Sequence, residues 1–81
     1  MTFRDFMARR RASHDARGDF VRLALADADF PNATEWQVLR HYFLQRHGNA
    51  DIADAGGDVW KEFKVHERRD RRDRLRQARD T

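Results

Sequence analysis

Residues 34–48 have the sequence TEWQVLRHYFLQRHG, which contains the signals of a whole helix from start to stop. Thr34 and Gln37 have the spacing of a capping box, in which two side chains satisfy free N–H groups of the first turn. Gly48 follows the last apolar residue, where glycine typically ends a helix. The predicted apolar face of this helix consists of Trp36, Leu39, Tyr42 and Phe43.

Two further helices are predicted before this segment. Residues 3–11 have apolar side chains at helical spacing, and Thr2 followed by Asp5 resembles a capping box. A second amphipathic stretch follows the first, and either Ser13 or Asp15 can cap it. Both helices are short and present one apolar face, so each needs a partner helix to cover it.

A fourth helix is predicted after Gly48, with Asp51 as its cap and Gly56-Gly57 as a point where it can break in two. The sequence therefore predicts an all-α fold, a compact bundle of four to five helices. The predicted core consists of Phe3, Phe6, Phe20, Leu23, Phe30, Trp36, Leu39, Tyr42, Phe43, Val59, Trp60 and Phe63.

Length and composition restrict the class of protein. With 81 residues the chain has room for one domain, and it contains no cysteine for a disulfide or a thiolate metal site. No apolar run approaches the roughly 18 residues that a membrane span requires. Residues 1–6 lack the hydrophobic centre of a signal peptide. These features predict a cytoplasmic protein that does not bind membranes.

Charge divides the chain near residue 64. Residues 1–63 carry nine basic and ten acidic side chains, whereas residues 64–81 carry eight basic and four acidic ones. Aromatic residues also stop at Phe63. We therefore expect a helical domain over residues 1–63 and an arginine-rich tail over residues 64–81, either helical or disordered.

The order of these elements is similar to that of a known family. The matching pieces are Phe3 and Phe6, His14-Asp15, Gly18-Asp19-Phe20, Leu23-Ala24, Ala28-Asp29-Phe30-Pro31, Leu39-Arg40-His41-Tyr42-Phe43, Gly48, Trp60 and Phe63. Over residues 3–63 the chain resembles the YozE-like family of small bacterial domains with a sterile-alpha-motif-like (SAM-like) fold. The resemblance implies a compact bundle without known enzymatic activity. The tail extends beyond the usual end of the family, so the resemblance implies no function for it.

The residue types for catalysis or metal binding do not occur in suitable patterns. Ser13 and His14 are adjacent, and neighbours in the chain rarely place a base on a hydroxyl. His41 and His47 are six residues apart, on different faces of one helix, and His66 is isolated. Phosphate-loop and zinc-protease motifs do not occur. We therefore expect no enzyme activity, no cofactor, no metal and no small-molecule substrate.

Clustered arginines indicate a possible surface for nucleic acid, because arginine makes forked contacts with phosphate. The candidate residues are Arg9, Arg10, Arg11, Arg68, Arg69, Arg71, Arg72, Arg74 and Arg76. The competing interpretation is a solvated helix in which Asp70 and Asp73 neutralise neighbouring arginines.

Protein interaction is the alternative function. Asp51, Asp54 and Asp58 can face a basic surface on another copy of the chain, and the arginine tail can provide that surface. Such contact would produce a homo-oligomer. A small phage- or plasmid-borne inhibitor of a host complex is a special case. A mimic of DNA would be strongly acidic, and the net charge of +3 argues against one.

Overall fold

A computed structural model of the chain describes residues 1–11 and 13–79, with side chains described for residues 1–11 and 13–70. Within these residues the chain forms four helices and no strand, which confirms the predicted all-α bundle. The helices are α1 (Phe3–Arg9), α2 (Ala16–Ala26), α3 (Trp36–His47) and α4 (Ala50–Arg79).

The start of α1 is the predicted capping box, with aspartate in the place of the usual glutamate. The Asp5 N–H donates to Thr2 Oγ1 at 3.1 Å, and the Thr2 N–H donates to Asp5 Oδ2 at 3.2 Å. The bond from the Thr2 N–H holds the pKa of Asp5 below its usual value, because it favours the ionised carboxylate. The helix ends at Arg9, two residues before the predicted end.

Asp15 caps α2, and Ser13 supports the cap from outside the helix. The Gly18 N–H donates to Asp15 Oδ1 at 3.1 Å, and the Ser13 hydroxyl donates to the same oxygen at 2.8 Å. A Cβ atom on Gly18 would lie 1.8 Å from the Ser13 carbonyl oxygen. The turn before α2 therefore requires glycine at this position.

The predicted capping box at the start of α3 is wrong. Glu35 is the N-cap residue, and its side chain makes no capping hydrogen bond. The box needs its second member three residues after the cap, and that position is Val38, whose side chain cannot accept a hydrogen bond. Thr34 precedes the cap, and Gln37 is one residue too early for this role.

The turn between α3 and α4 confirms one prediction and corrects another. Gly48 has a φ of +67° and ends α3, as the sequence predicted. Asn49, rather than Asp51, then caps α4, because Asn49 Oδ1 accepts from the Ile52 N–H at 3.1 Å. The Asn49 carbonyl oxygen also accepts from the Ala53 N–H at 3.0 Å. Asp51 lies in the first turn of the helix.

Of the two alternatives at Gly56-Gly57, the unbroken helix is the one observed, since α4 runs through both residues. A Cβ atom on Gly56 would lie 2.5 Å from the ring of Phe20 on α2. A Cβ atom on Gly57 would lie 3.3 Å from Trp36 Nε1 on α3. The glycines therefore let α4 pack closely against its two neighbours, and this packing offsets their poor helix propensity.

The core forms where α1, α2 and α3 pack on α4. Its buried apolar residues are Phe3, Met7, Phe20, Val21, Ala24, Phe30, Leu39, Phe43, Ala53, Val59, Trp60 and Phe63. Three predicted core residues, Phe6, Trp36 and Tyr42, are partly buried and pack against this cluster. The prediction that Leu23 belongs to the core is wrong, since 36% of this residue is exposed. The buried stripe of α2 passes through Phe20, Val21 and Ala24, and Leu23 lies to one side of it.

A buried carboxylate holds the connection between α2 and α3. Asp27 is 6% exposed, and its Oδ2 accepts from the Tyr42 hydroxyl at 2.7 Å. Its Oδ1 accepts from the Asp29 N–H at 3.0 Å, and Arg46 Nε lies 3.5 Å from Oδ2. The guanidinium of Arg4 donates to the Asp27 carbonyl oxygen at 3.2 Å. The Tyr42 hydrogen bond holds the pKa of Asp27 below its usual value.

Candidate functional site

Helix α4 has a core-facing side and an opposite side that faces solvent. Its buried residues are Ala53, Gly56, Val59, Trp60 and Phe63. Because each residue turns an α-helix by about 100°, the positions opposite this stripe follow from the helical register. We call this opposite side the outer face of α4. Its described residues are Asp51, Asp54, Asp58, Lys61, Glu62, Val65, Arg68 and Arg69, all of them exposed.

Charge on the outer face changes sign along the helix. Asp51, Asp54 and Asp58 lie in its first half, and Arg68 and Arg69 lie in its second half. The backbone of α4 continues to Arg79, and positions 72, 76 and 79 fall on the same face. Each of these three positions is an arginine. The outer face is therefore acidic over its first turns and basic over its last ones.

A shallow groove lies at the midpoint of the outer face. It has a volume of about 420 Å³ and is lined by Asp58, Lys61, Glu62, Val65, His66 and Arg69. Val65 is 47% exposed, so the groove contains a solvent-accessible apolar side chain between charged side chains. Val65 was not among the predicted surface residues. Extending the helical period of the core stripe past Phe63 would have placed it on the outer face.

The three arginines of the predicted cluster Arg9–Arg11 have different environments in the structure. The side chain of Arg10 is 12% exposed, and its Nε donates to Glu62 Oε2 at 2.9 Å. Its Nη1 also donates to Ser13 Oγ at 3.3 Å. Arg10 therefore links the end of α1 to α4, which makes it a poor ligand for an external phosphate. Arg9 and Arg11 are exposed and keep that capacity.

The structure brings the end of α1 close to the middle of α4. The rings of Phe6 and His66 have centroids 5.7 Å apart, and Arg10 contacts Glu62 directly. Arg69 lies two turns beyond Glu62, about 10 Å along the helix axis. The two arginine clusters of the sequence thus lie on neighbouring parts of the surface.

The remaining candidates, Arg71, Arg72, Arg74 and Arg76, lie on the described backbone of α4, and their side chains lie outside the described residues. The register places positions 68, 69, 72, 76 and 79 within an arc of about 100°. Positions 71 and 74 fall outside this arc, as do the acidic positions 67, 70 and 73. The helix therefore gathers five of the arginines on one side and turns most of the tail's acidic residues away from them.

Other kinds of site find little support in the described residues. Within residues 1–11 and 13–70, no three histidine, cysteine, aspartate or glutamate side chains converge as ligands for one metal ion. The ring of His47 packs on Phe43 with centroids 4.5 Å apart. In the part of the chain that the structure describes, no helix combines the length and the apolar composition needed to cross a bilayer.

Comparison with known proteins adds no relative. No family model, no curated protein and no solved structure matches the chain. The similarity to the YozE-like family therefore stays a prediction based on the residues that carry it. In the part of the chain that the structure describes, the outer face of α4 is the surface on which acidic and basic residues are separated along one helix.

Proposed function

We propose that this chain is a non-catalytic binding module that associates with the phosphate backbone of nucleic acid through the basic half of the outer face of α4. The observation that carries the proposal is the single helix past Phe63, on which five arginines share one side. In a disordered tail the same arginines would have no common side, and their aspartate neighbours would mix with them.

The spacing on the helix suits contact with phosphates. Positions 68, 72 and 76 follow one another at intervals of about 6 Å along the axis. Arginine presents a planar fork of donors that matches phosphate oxygens. Arg68 and Arg69 are exposed, and no core residue lies beyond Phe63 among residues with described side chains. The part of α4 after Phe63, which we call the arm, can therefore approach a polyanion without disturbing the bundle.

Contacts between arginine and phosphate fix the position of the protein on the nucleic-acid backbone and carry little information about base sequence. We therefore propose affinity for DNA or RNA with weak sequence preference and steep dependence on salt. A cytoplasmic location, which the lack of cysteine favours, would give the protein access to both. The SAM-like fold suggested by the family resemblance would act as the folded body that carries the arm.

Fluorescence anisotropy of labelled single- and double-stranded DNA and RNA, at two salt concentrations, tests the proposal. The test variant is Arg68→Gln/Arg72→Gln. The matched control is Arg22→Gln/Arg40→Gln, which loses the same charge from side chains on α2 and α3 that are 56% and 40% exposed. We expect the test variant to bind roughly tenfold or more weakly than the parent, and its salt slope to fall by about two. The control should bind within about twofold of the parent.

Two results would contradict the proposal. In the first, the parent does not bind any of the nucleic acids at low salt. In the second, both variants lose affinity equally, which would mean that net charge matters and the face does not. The first result would favour the interpretation of the tail as a solvated helix or a protein-docking segment, and the second would favour unspecific attraction by the whole chain.

A further inference from the structure

On the outer face of α4, most acidic positions before Val65 have an arginine position at the same distance after Val65. Two copies of the helix that run in opposite directions would therefore place opposite charges against each other. From the charge pattern we infer that α4 pairs with α4 of a second copy of this chain in antiparallel orientation, with Val65 on the two-fold axis. The inference does not depend on nucleic-acid binding. It concerns the acidic half of the outer face as much as the basic half.

The antiparallel register follows from the positions on the helix. With Val65 opposite its own copy, each acidic residue of the outer face lies opposite an arginine position of the partner copy. The opposed positions are Glu62 with Arg68, Asp58 with Arg72, Asp54 with Arg76, and Asp51 with Arg79. Two-fold symmetry makes every pair occur twice. Lys61 opposite Arg69 is the unfavourable exception.

A parallel pair would place like charges together along the whole face, with Asp58 against Asp58 and Arg68 against Arg68. Such repulsion costs free energy, so the charge pattern selects the antiparallel orientation. The groove lies at the centre of this register, and Val65, its exposed apolar lining residue, is the position at which the two copies would meet.

The bundle leaves most of the outer face open to a second copy, and Glu62, which accepts from Arg10 of α1, keeps 42% of its side chain exposed. The core stripe of α4 lies on the opposite side, so the helices that cover it lie behind α4. Asp54 has its carboxylate 3.5 Å from Arg40 and keeps 67% of its side chain exposed, so it remains accessible to a partner. A helix of 30 residues is about 45 Å long, which is enough for all opposed positions to meet along one contact.

The expected dimer is weak and sensitive to salt. Ion pairs between exposed side chains each contribute about 0–1 kcal/mol and are screened by salt. Val65 adds one small apolar contact at the centre. The dimer would also cover the arginines that nucleic acid needs, so the two partners would compete for one surface.

Sedimentation equilibrium of the nuclease-treated full chain, without nucleic acid and over a series of protein and salt concentrations, tests the inference. We expect the mass of two chains at low salt and high protein concentration, and the mass of one chain at high salt. Asp58→Arg should abolish the dimer by placing a new positive charge opposite Arg72. The double change Asp58→Arg/Arg72→Asp should restore it, because the charges are exchanged within the same register.

Glu35→Arg is the matched control. It makes the same change in net charge at an exposed position outside α4 whose side chain makes no capping bond, so the dimer should persist. Asp58 is exposed, and far-UV circular dichroism would verify that each variant keeps its helices. A parent that stays monomeric under all conditions would overturn the inference. So would a double variant that does not regain the dimer.

The dimer and the proposed function can fail separately. Sedimentation is measured without nucleic acid, and anisotropy detects nucleic-acid binding whether or not a dimer forms. A chain that stays monomeric at every concentration without nucleic acid, and yet binds DNA, would overturn the dimer alone. A dimer that binds no nucleic acid would overturn the proposed function alone.

Discussion

Asp27 is a single residue whose burial organises a whole connection. Its carboxylate accepts from the Tyr42 hydroxyl and from the Asp29 N–H, and Arg46 lies beside it. The sequence analysis did not identify this role, because an aspartate after a helix usually faces solvent. What buries it is the return of α3, which brings Tyr42 back 15 residues later in the chain. Local sequence patterns do not contain contacts of that range.

The ionised state of Asp27 makes the stability of the protein dependent on pH. Its pKa is held below the usual 3.8, so the folded protein binds this proton less readily than the unfolded chain does. The stabilisation is therefore complete above about pH 4 and is lost as the pH falls through the lowered pKa. We expect Tyr42→Phe, which removes the hydrogen bond, to lower the thermal midpoint by roughly 5 °C at neutral pH.

Thermal unfolding of parent and variant between pH 7 and pH 2 measures this effect. The difference between the two midpoints should be largest above pH 4 and should shrink as the solution becomes more acidic, because both proteins then protonate Asp27. A difference that stays constant across the range would mean that Tyr42 acts through packing alone. Asp5 and Asp15, whose pKa values are also lowered, should contribute to the acid sensitivity of both proteins equally.

At the level of helices, Gly56 and Gly57 have different neighbours although they are adjacent. The space beside Gly56 is filled by the ring of Phe20, which is fully buried and lies 4.9 Å from the ring of Phe43. The space beside Gly57 is limited by Trp36, which is partly exposed and can move. A pair of glycines in a helix can therefore include one position that packing requires and one that it does not.

Alanine at each glycine should separate these roles. We expect Gly56→Ala to destabilise the protein by about 1–3 kcal/mol, because its Cβ would enter the space of the Phe20 ring. Gly57→Ala should change the free energy of unfolding by less than about 1 kcal/mol, since better helix propensity offsets a small shift of Trp36. Urea unfolding followed by circular dichroism measures both. Equal effects at the two positions would contradict the assigned packing.

The helices could be predicted from sequence, but some of their boundaries could not. Apolar spacing and Gly48 identified α3, and Thr2 with Asp5 identified the start of α1. The sequence left open a break at Gly56-Gly57, which does not occur because propensity is a local property and close packing outweighs it. The cap at Thr34 was wrong because a pattern of residue types allows more than one starting point for a helix.

At the level of the whole molecule, α4 forms both the wall of the core and the candidate site. The molecule is 50 Å in its longest dimension, close to the length of about 45 Å expected for this helix. Among the side chains described up to residue 70, those of the buried core end at Phe63, whose ring lies 5.4 Å from that of Phe3. The second half of α4 is therefore a candidate binding arm that the bundle does not need for folding.

Truncation tests this division. A chain of residues 1–70 should unfold cooperatively with a thermal midpoint within about 5 °C of the parent, because it keeps the core stripe of α4. A chain of residues 1–59 should not fold, because it lacks Trp60 and Phe63, which contact Phe3 at 4.9 and 5.4 Å between ring centroids. A large loss of stability in the longer chain would show that the arm takes part in folding.

The candidate site was partly predictable at this scale. Composition located the arginines and the change in charge near residue 64, and these do not depend on structure. The sequence could not show that Arg10 is bound to Glu62, since that pair joins residues 52 apart. It also left open whether the tail is helical, because a helix without an apolar face has no periodic signal.

The separation of charge along α4 has an electrical consequence. Acidic residues near Asp54 and basic residues near position 72 are about 27 Å apart along a rigid rod, so the molecule carries a large permanent dipole moment. The field of a polyanion exerts a torque on such a molecule before any contact is made. The chain would therefore arrive with its basic end leading, and a larger fraction of its collisions would be productive than for a particle of the same net charge spread evenly.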